Sequence, residues 1–117
     1  MTRYKKEIGA WGESAAADWL VENGYQILGR NVRTPYGEID IIAQQGEIAV
    51  FVEVKTLTSS RDFFPEEAIT PTKQQHMTDA AEHYCAENEI DHWQIDVIAV
   101  EGKPGAVPSI THFENAV

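Results

Sequence analysis

Three ionisable residues stand inside otherwise apolar runs: Asp40 in Glu38-Ile39-Asp40-Ile41-Ile42, and Glu53 and Lys55 in Val50-Phe51-Val52-Glu53-Val54-Lys55. An unpaired charge in such a segment is costly to desolvate, so these positions ask for a partner or a cation. Both runs read as strands, in which successive side chains alternate faces. Glu53 and Lys55 therefore share a face with Phe51, and Asp40 shares one with Glu38 and Ile42. A tight turn at Gln45-Gly46, pairing residue 44 with 47, sets Asp40 opposite Phe51 and diagonal to Glu53. Two ionised carboxylates about 4 Å apart, at an effective dielectric of about 20, repel by about 4 kcal/mol. Either one keeps its proton or a cation bridges them. Carboxylate oxygens are hard ligands suited to Mg²⁺ or Mn²⁺, and Lys55 is placed to stabilise phosphate charge or hold a water nucleophile. The plain alternative is a solvent-facing strand on which Glu53 and Lys55 pair with each other.

The elements that must position these groups follow from periodicity. Apolar residues at Ile8, Trp11, Ala15, Trp19, Leu20 and Val21 predict a helix over residues 6–23, stopped by Gly24. Gly12 lies where a missing side chain lets that helix approach a sheet closely. Residues 25–34 read as a strand and Pro35-Tyr36-Gly37 as a turn. After the hairpin comes a polar and aromatic loop over residues 57–70. A second helix runs over residues 72–88, with Pro71 ahead of it and Met77, Ala80, Ala81, Tyr84 and Cys85 facing inward. Residues 93–100 alternate as a strand that contains another buried-looking acid, Asp96. Residues 109–113 are a candidate edge strand. The order α-β-β-β-α-β, with an extra edge strand, suits a mixed β-sheet flanked by helices in an α/β fold.

Gly12-Glu13, Arg30-Asn31-x-Arg33, Gly37-Glu38-Ile39-Asp40 and Phe51-Val52-Glu53-Val54-Lys55-Thr56, in that order and spacing, resemble the YraN family of bacterial proteins. The pattern is similar to that of restriction-endonuclease-like nucleases and Holliday-junction resolvases, and it covers nearly the whole chain. The resemblance implies a single nuclease-like domain over residues 1–117. It also implies a metal-dependent endonuclease that hydrolyses phosphodiesters in DNA, branched or junction DNA included. Asp40, Glu53, the carbonyl of Val54 and Glu13 would hold Mg²⁺ or Mn²⁺, and Lys55 would act on the phosphate or the water. Lys73 and Gln74, which open the second helix, match positions that orient a phosphate or water in related folds, where a helix N-terminus also favours an anion.

Composition limits these readings. The chain has 117 residues, 43% of them hydrophobic, enough for one core and with no linker or repeat. No apolar run is long enough for a membrane span, and the start lacks a signal-peptide pattern. Cys85 has no second cysteine to pair with, so a reducing cytoplasm is the expected location. The formal charge of −10 is a handicap for nucleic-acid binding. Residues 1–73 carry eight of the nine Lys and Arg and a balance of −3, whereas the remainder carries −7. Arg3, Lys5, Lys6, Arg30, Arg33, Arg61 and Lys73 form a patchy candidate basic face, and Tyr36 could stack on a base. Weak, salt-sensitive binding to DNA is expected. His76 and His83 flank Asp79 at helical spacing, but no second ligand motif accompanies them, so a solvated helix face is the reading preferred to zinc. Phe63-Phe64-Pro65 is a candidate homodimer contact. Two rivals stand beside the nuclease: a catalytically silent nucleic-acid-binding module of the same fold, and a protein-interaction module suited to the acidic second half.

Overall fold

The computed structural model describes residues 3–57 and 69–117, with helix side chains from residue 6 onward. Its elements are α1(Arg3–Glu22), β1(Gln26–Thr34), β2(Gly37–Gln45), β3(Ile48–Leu57), α2(Pro71–Glu87), β4(Trp93–Glu101) and β5(Ser109–Phe113). The five strands form one sheet in the order β1-β2-β3-β4-β5. β1, β2 and β3 run as an antiparallel meander, β3 pairs parallel with β4, and β5 returns antiparallel. Parallel pairing requires a crossover, and α2 lies in it. This is the mixed β-sheet flanked by helices, an α/β fold, that the sequence led one to expect.

Each sheet face has its own core. On one, Ala16, Ala17 and Leu20 of α1 pack on Ile41, Val50, Val52 and Ile98. On the other, Ala80, Ala81 and Cys85 of α2 pack on Ile42, Phe51 and Ile95. The continuous apolar run of β4 fits burial on both faces. Val21, read as part of the apolar stripe of α1, is 58% exposed. The turn of helix that buries Leu20 points its sequence neighbour outward, and the small Ala16 and Ala17 take the packed positions. The candidate dimer contact at Phe63-Phe64-Pro65, and Arg61, lie outside the described residues, as do the side chains of Arg3 and Lys5. Among the described residues no helix is long and apolar enough to cross a membrane.

The hairpin register differs from the expected one. Gln45 pairs with Ile48 and Ile42 with Phe51, so Gly46 and Glu47 make the turn and Asp40 is not opposite Phe51. Gly46 takes a φ of +61°, which a glycine at the first turn position allows at no steric cost. The slip is two residues in the summed pairing, an even number, so every side chain keeps its face. One step beyond the last ladder pair, Ile41 with Val52, Asp40 and Glu53 come side by side.

α1 is pressed onto β3 at Gly12, where an added Cβ would collide with the Thr56 side chain. Gly12→Ala therefore tests this approach. Although alanine favours a helix by about 1 kcal/mol, overpacking of about 1–3 kcal/mol should outweigh it and lower the melting temperature. An unchanged or raised melting temperature would show that the helix has room to move. At the other end of the fold the fully buried Asp96 fastens the C-terminal turn. Its carboxylate accepts from Gln94 Nε2 at 2.9 Å and from the Asn115 backbone N–H at 2.8 Å, and lies 2.7 Å from His112 Nε2. The acid that stands in the apolar run of β4 thus caps a loop.

Candidate functional site

The site forms where β2 and β3 separate. Past the Ile41–Val52 pair, the Asp40 carboxylate enters the gap and accepts the Val54 N–H at 2.9 Å. In a strand the N–H and C=O of one residue leave on the same edge, so the Val54 carbonyl is also directed toward Asp40. Glu53, 8% exposed, is the buried acid beside it. Glu13 approaches from α1, where Gly12 permits the close contact, and Asn31 Nδ2 donates to its Oε1 at 2.7 Å. Asn31 holds this pose with a φ of +51°, a left-handed conformation that Asn tolerates better than most residues.

Three carboxylates so placed resist being charged together. Burial, and then the Glu53 charge, push the Asp40 carboxyl up to about 7 against its bond from Val54. Burial likewise pushes Glu13 up, with Glu38 and Glu53 adding to it and Arg30 opposing. The Lys55 ammonium is pulled down, first by burial and then by the neighbouring Lys73 charge. Below about pH 7 Asp40 thus keeps a proton that an isolated carboxyl would have lost. All the donors are hard oxygens, and the Asp40 and Glu53 carboxylates oppose each other's ionisation. Both properties fit a divalent cation held by Asp40, Glu53 and the Val54 carbonyl, with Glu13 as a further or indirect ligand.

Lys73 comes from the start of α2 and its Nζ lies 2.5 Å from Glu53 Oε1. Its placement is local in origin: Thr70 caps the helix by accepting from Lys73 N, and Pro71 occupies the first turn. Gln74, expected in the same cleft, turns away. Its Nε2 donates to the Ile69 carbonyl, and it lines a separate concavity with Val97 and Phe113, because the next helix position faces about 100° round. Arg30 donates to Ser14 Oγ and lies near Glu13, whereas Arg33 extends into solvent with Nε 4.0 Å from Glu38. Tyr36 sits at the tip of the β1–β2 hairpin, half exposed, its ring edge-on to His83 at 6.1 Å. His83 pairs with Glu87 and Asp79 with Gln75, so they do not join His76 in a ligand set.

Between the sheet and α2 a cleft of about 410 Å³ runs from Asp40, Glu53 and Lys73 to Tyr36 and His76. Sequence reasoning passed over two features. Asn31 as a holder of Glu13 was signalled only by an asparagine within a strand. The second feature is a group on the opposite sheet face, the buried Asp96, the half-buried His112 and the exposed Glu114, whose ligand atoms lie within 4.8 Å of one another. Asp96 there is already satisfied by three hydrogen-bonding partners, and Tyr25 donates to Glu114 at 3.4 Å.

The family model described as "Uncharacterised protein family UPF0102" matches residues 12–100, the stretch that contains Glu13, Asp40, Glu53, Lys55 and Lys73. The chain belongs to the UPF0102 (YraN) family. A UPF0102 protein of Syntrophotalea carbinolica is 42% identical, with 99% of this chain and 95% of that protein covered. A UPF0102 protein of Caldicellulosiruptor saccharolyticus is 44% identical over 82% of this chain and 83% of its own. A third, from Lachnoclostridium phytofermentans, is 49% identical over 74% and 73%. Among solved structures, that of Pyrococcus furiosus SfsA in complex with Ca²⁺ is similar at a TM-score of 0.39 and 13% identity. The match covers 94% of the UPF0102 chain and 63% of the SfsA chain.

Proposed function

We propose that this UPF0102 protein is a divalent-metal-dependent endonuclease that hydrolyses phosphodiester bonds in DNA. The observation that carries the reading is the pair formed by the half-buried Asp40 and the buried Glu53 at the splayed end of a strand hairpin, with Glu13 and Lys55 brought to it from either side. When bound there, Mg²⁺ or Mn²⁺ supplies Lewis-acid polarisation of the phosphate and a lowered pKa for an attacking water. Asp40 and Glu53 fix the geometry, the first through its bond from Val54 N–H. Lys55, partly desolvated, offsets the negative charge that grows on the phosphate oxygens. Lys73 is ion-paired with Glu53 and is placed to turn to a phosphate when a cation takes over that carboxylate. Arg30, Arg33 and Tyr36 line the approach on which the DNA strand rests.

The test is a cleavage assay on single-stranded, duplex and branched DNA with Mg²⁺ or Mn²⁺. Cleavage that stops on chelation and in Lys55→Ala, while that variant still binds Mn²⁺, is the expected result. The second reading, a silent DNA-binding module, is favoured by one observation, the lysine already seated on Glu53. No Mn²⁺ binding at millimolar concentration, with DNA still bound, would decide for it.

A further inference from the structure

We propose that the cleft beside Asp40 and Glu53 takes one unpaired nucleobase of a single-stranded DNA segment, with the adjoining phosphate at the carboxylate and lysine end. The inference rests on the metal-dependent reading above and adds the form of DNA that the site selects. The two ends of the cleft differ in chemistry. Lys73, Asp40 and Glu53 make one end, suited to a phosphate and a cation. The far end has an apolar floor of Ile39, Phe51 and Ala80, with Met77 over it and the half-exposed Tyr36 ring at its mouth. Thr72 and His76 stand on its rim, where their polar atoms can meet the edge of a base.

Size and charge select the occupant. At about 410 Å³ the cleft is in the range of sites for small ligands, and its apolar end and its charged end match a base and the adjoining phosphate. The charge of −10 leaves a handful of cations near the site, Arg30, Arg33, Lys55 and Lys73, too few for tight binding of duplex by phosphate neutralisation alone. Affinity then has to come from burying and stacking a base, which is tolerant of sequence. Extruding a base from intact duplex costs energy that an unpaired or mispaired nucleotide does not demand. The site should therefore favour single strands, flaps and mispaired positions over perfect duplex.

The test titrates the full chain, in Ca²⁺, into a DNA single strand carrying a fluorescent purine analogue and into the blunt duplex of the same sequence. Mn²⁺ affinity is measured separately by calorimetry without DNA. The expected result is about tenfold or greater preference for the single strand, with a change in analogue emission. Met77→Trp, which fills the cleft, and Tyr36→Ala, which removes the ring from an exposed turn, should each weaken single-strand binding several-fold and leave Mn²⁺ affinity unchanged. Equal or tighter binding of duplex, or wild-type binding by both variants, would overturn base capture. Mn²⁺ binding with no oligonucleotide bound would overturn it and spare the metal centre. Preferential single-strand binding that both variants weaken, without Mn²⁺ binding, would keep the base site and overturn the metal centre.

Discussion

Asp40→Asn and Glu53→Gln are expected to have opposite effects on the metal-free protein and the same effect on its response to Mn²⁺. Mutual repulsion alone predicts that neutralising either acid raises the melting temperature. The structure separates the two cases. Asp40 is pushed up to about 7 and receives a bond from Val54 N–H, which the Asn side-chain oxygen can still accept. The substitution should be near neutral at about pH 4, increasingly stabilising as pH rises to about 7, and level above that. Glu53 instead carries the ion pair to Lys73, and neutralising it leaves Lys73 and Lys55 facing each other. Because the Lys73 side chain is 40% exposed, screening limits that loss to about 1 kcal/mol. Wild type at a hundredfold excess of Mn²⁺ over its Kd gains about 2.7 kcal/mol, or about 10 °C for a domain of this size. Both variants should lose most of that gain. Melting curves of the three proteins with and without Mn²⁺ check it, and a gain retained by both variants would refute the assigned ligands.

The stability of the metal-free protein is expected to fall as pH rises from about 4 to about 7. Asp40 ionises near 4 in the unfolded chain and near 7 in the folded one, so between those values the native state holds the extra proton. Stability rises with pH where the unfolded state binds more protons, and here it binds fewer, so the slope is negative. The full contribution of Asp40 is present below the unfolded pKa and is lost as pH passes the folded one. A difference of about three units sets an upper bound of about 4 kcal/mol. Glu13, raised by the same burial, acts in the same direction. Mn²⁺ selects the ionised form, so its stabilising effect should be small at pH 5 and complete near pH 8. Urea unfolding across this range measures both trends. A wild-type profile that Asp40→Asn does not flatten would contradict the assignment.

What the sequence made legible, and what it did not, divides along the range of the interactions. The common face of Asp40 and Glu53 was legible because strand alternation has period two, and the even register slip preserved it. Gly12 was legible as a close approach, since a glycine inside an alanine-rich helix has few other uses. Pro71 announced the start of α2 to within a residue, whereas the cap at Thr70 emerged only in the structure. The Lys73–Glu53 pair was not, because it depends on how a long crossover returns α2 to the sheet. Gln74 was misplaced for a related reason: one helix position decides which concavity a side chain enters. Asp96 stood out as an acid in an apolar strand, but its partners His112 and Asn115 arrive through the antiparallel register of β5, which no local pattern encodes. Asn31 shows the same limit, since its left-handed backbone matters only once α1 brings Glu13 above it.

A cation at the Asp40–Glu53 pair is tested most directly by anomalous scattering from crystals soaked in Mn²⁺. A single strong peak within coordination distance of Asp40, Glu53 and the Val54 carbonyl, with Lys73 moved off Glu53, is the result expected. Anomalous maps without a peak there, with Lys73 still paired to Glu53 at saturating Mn²⁺, would contradict it.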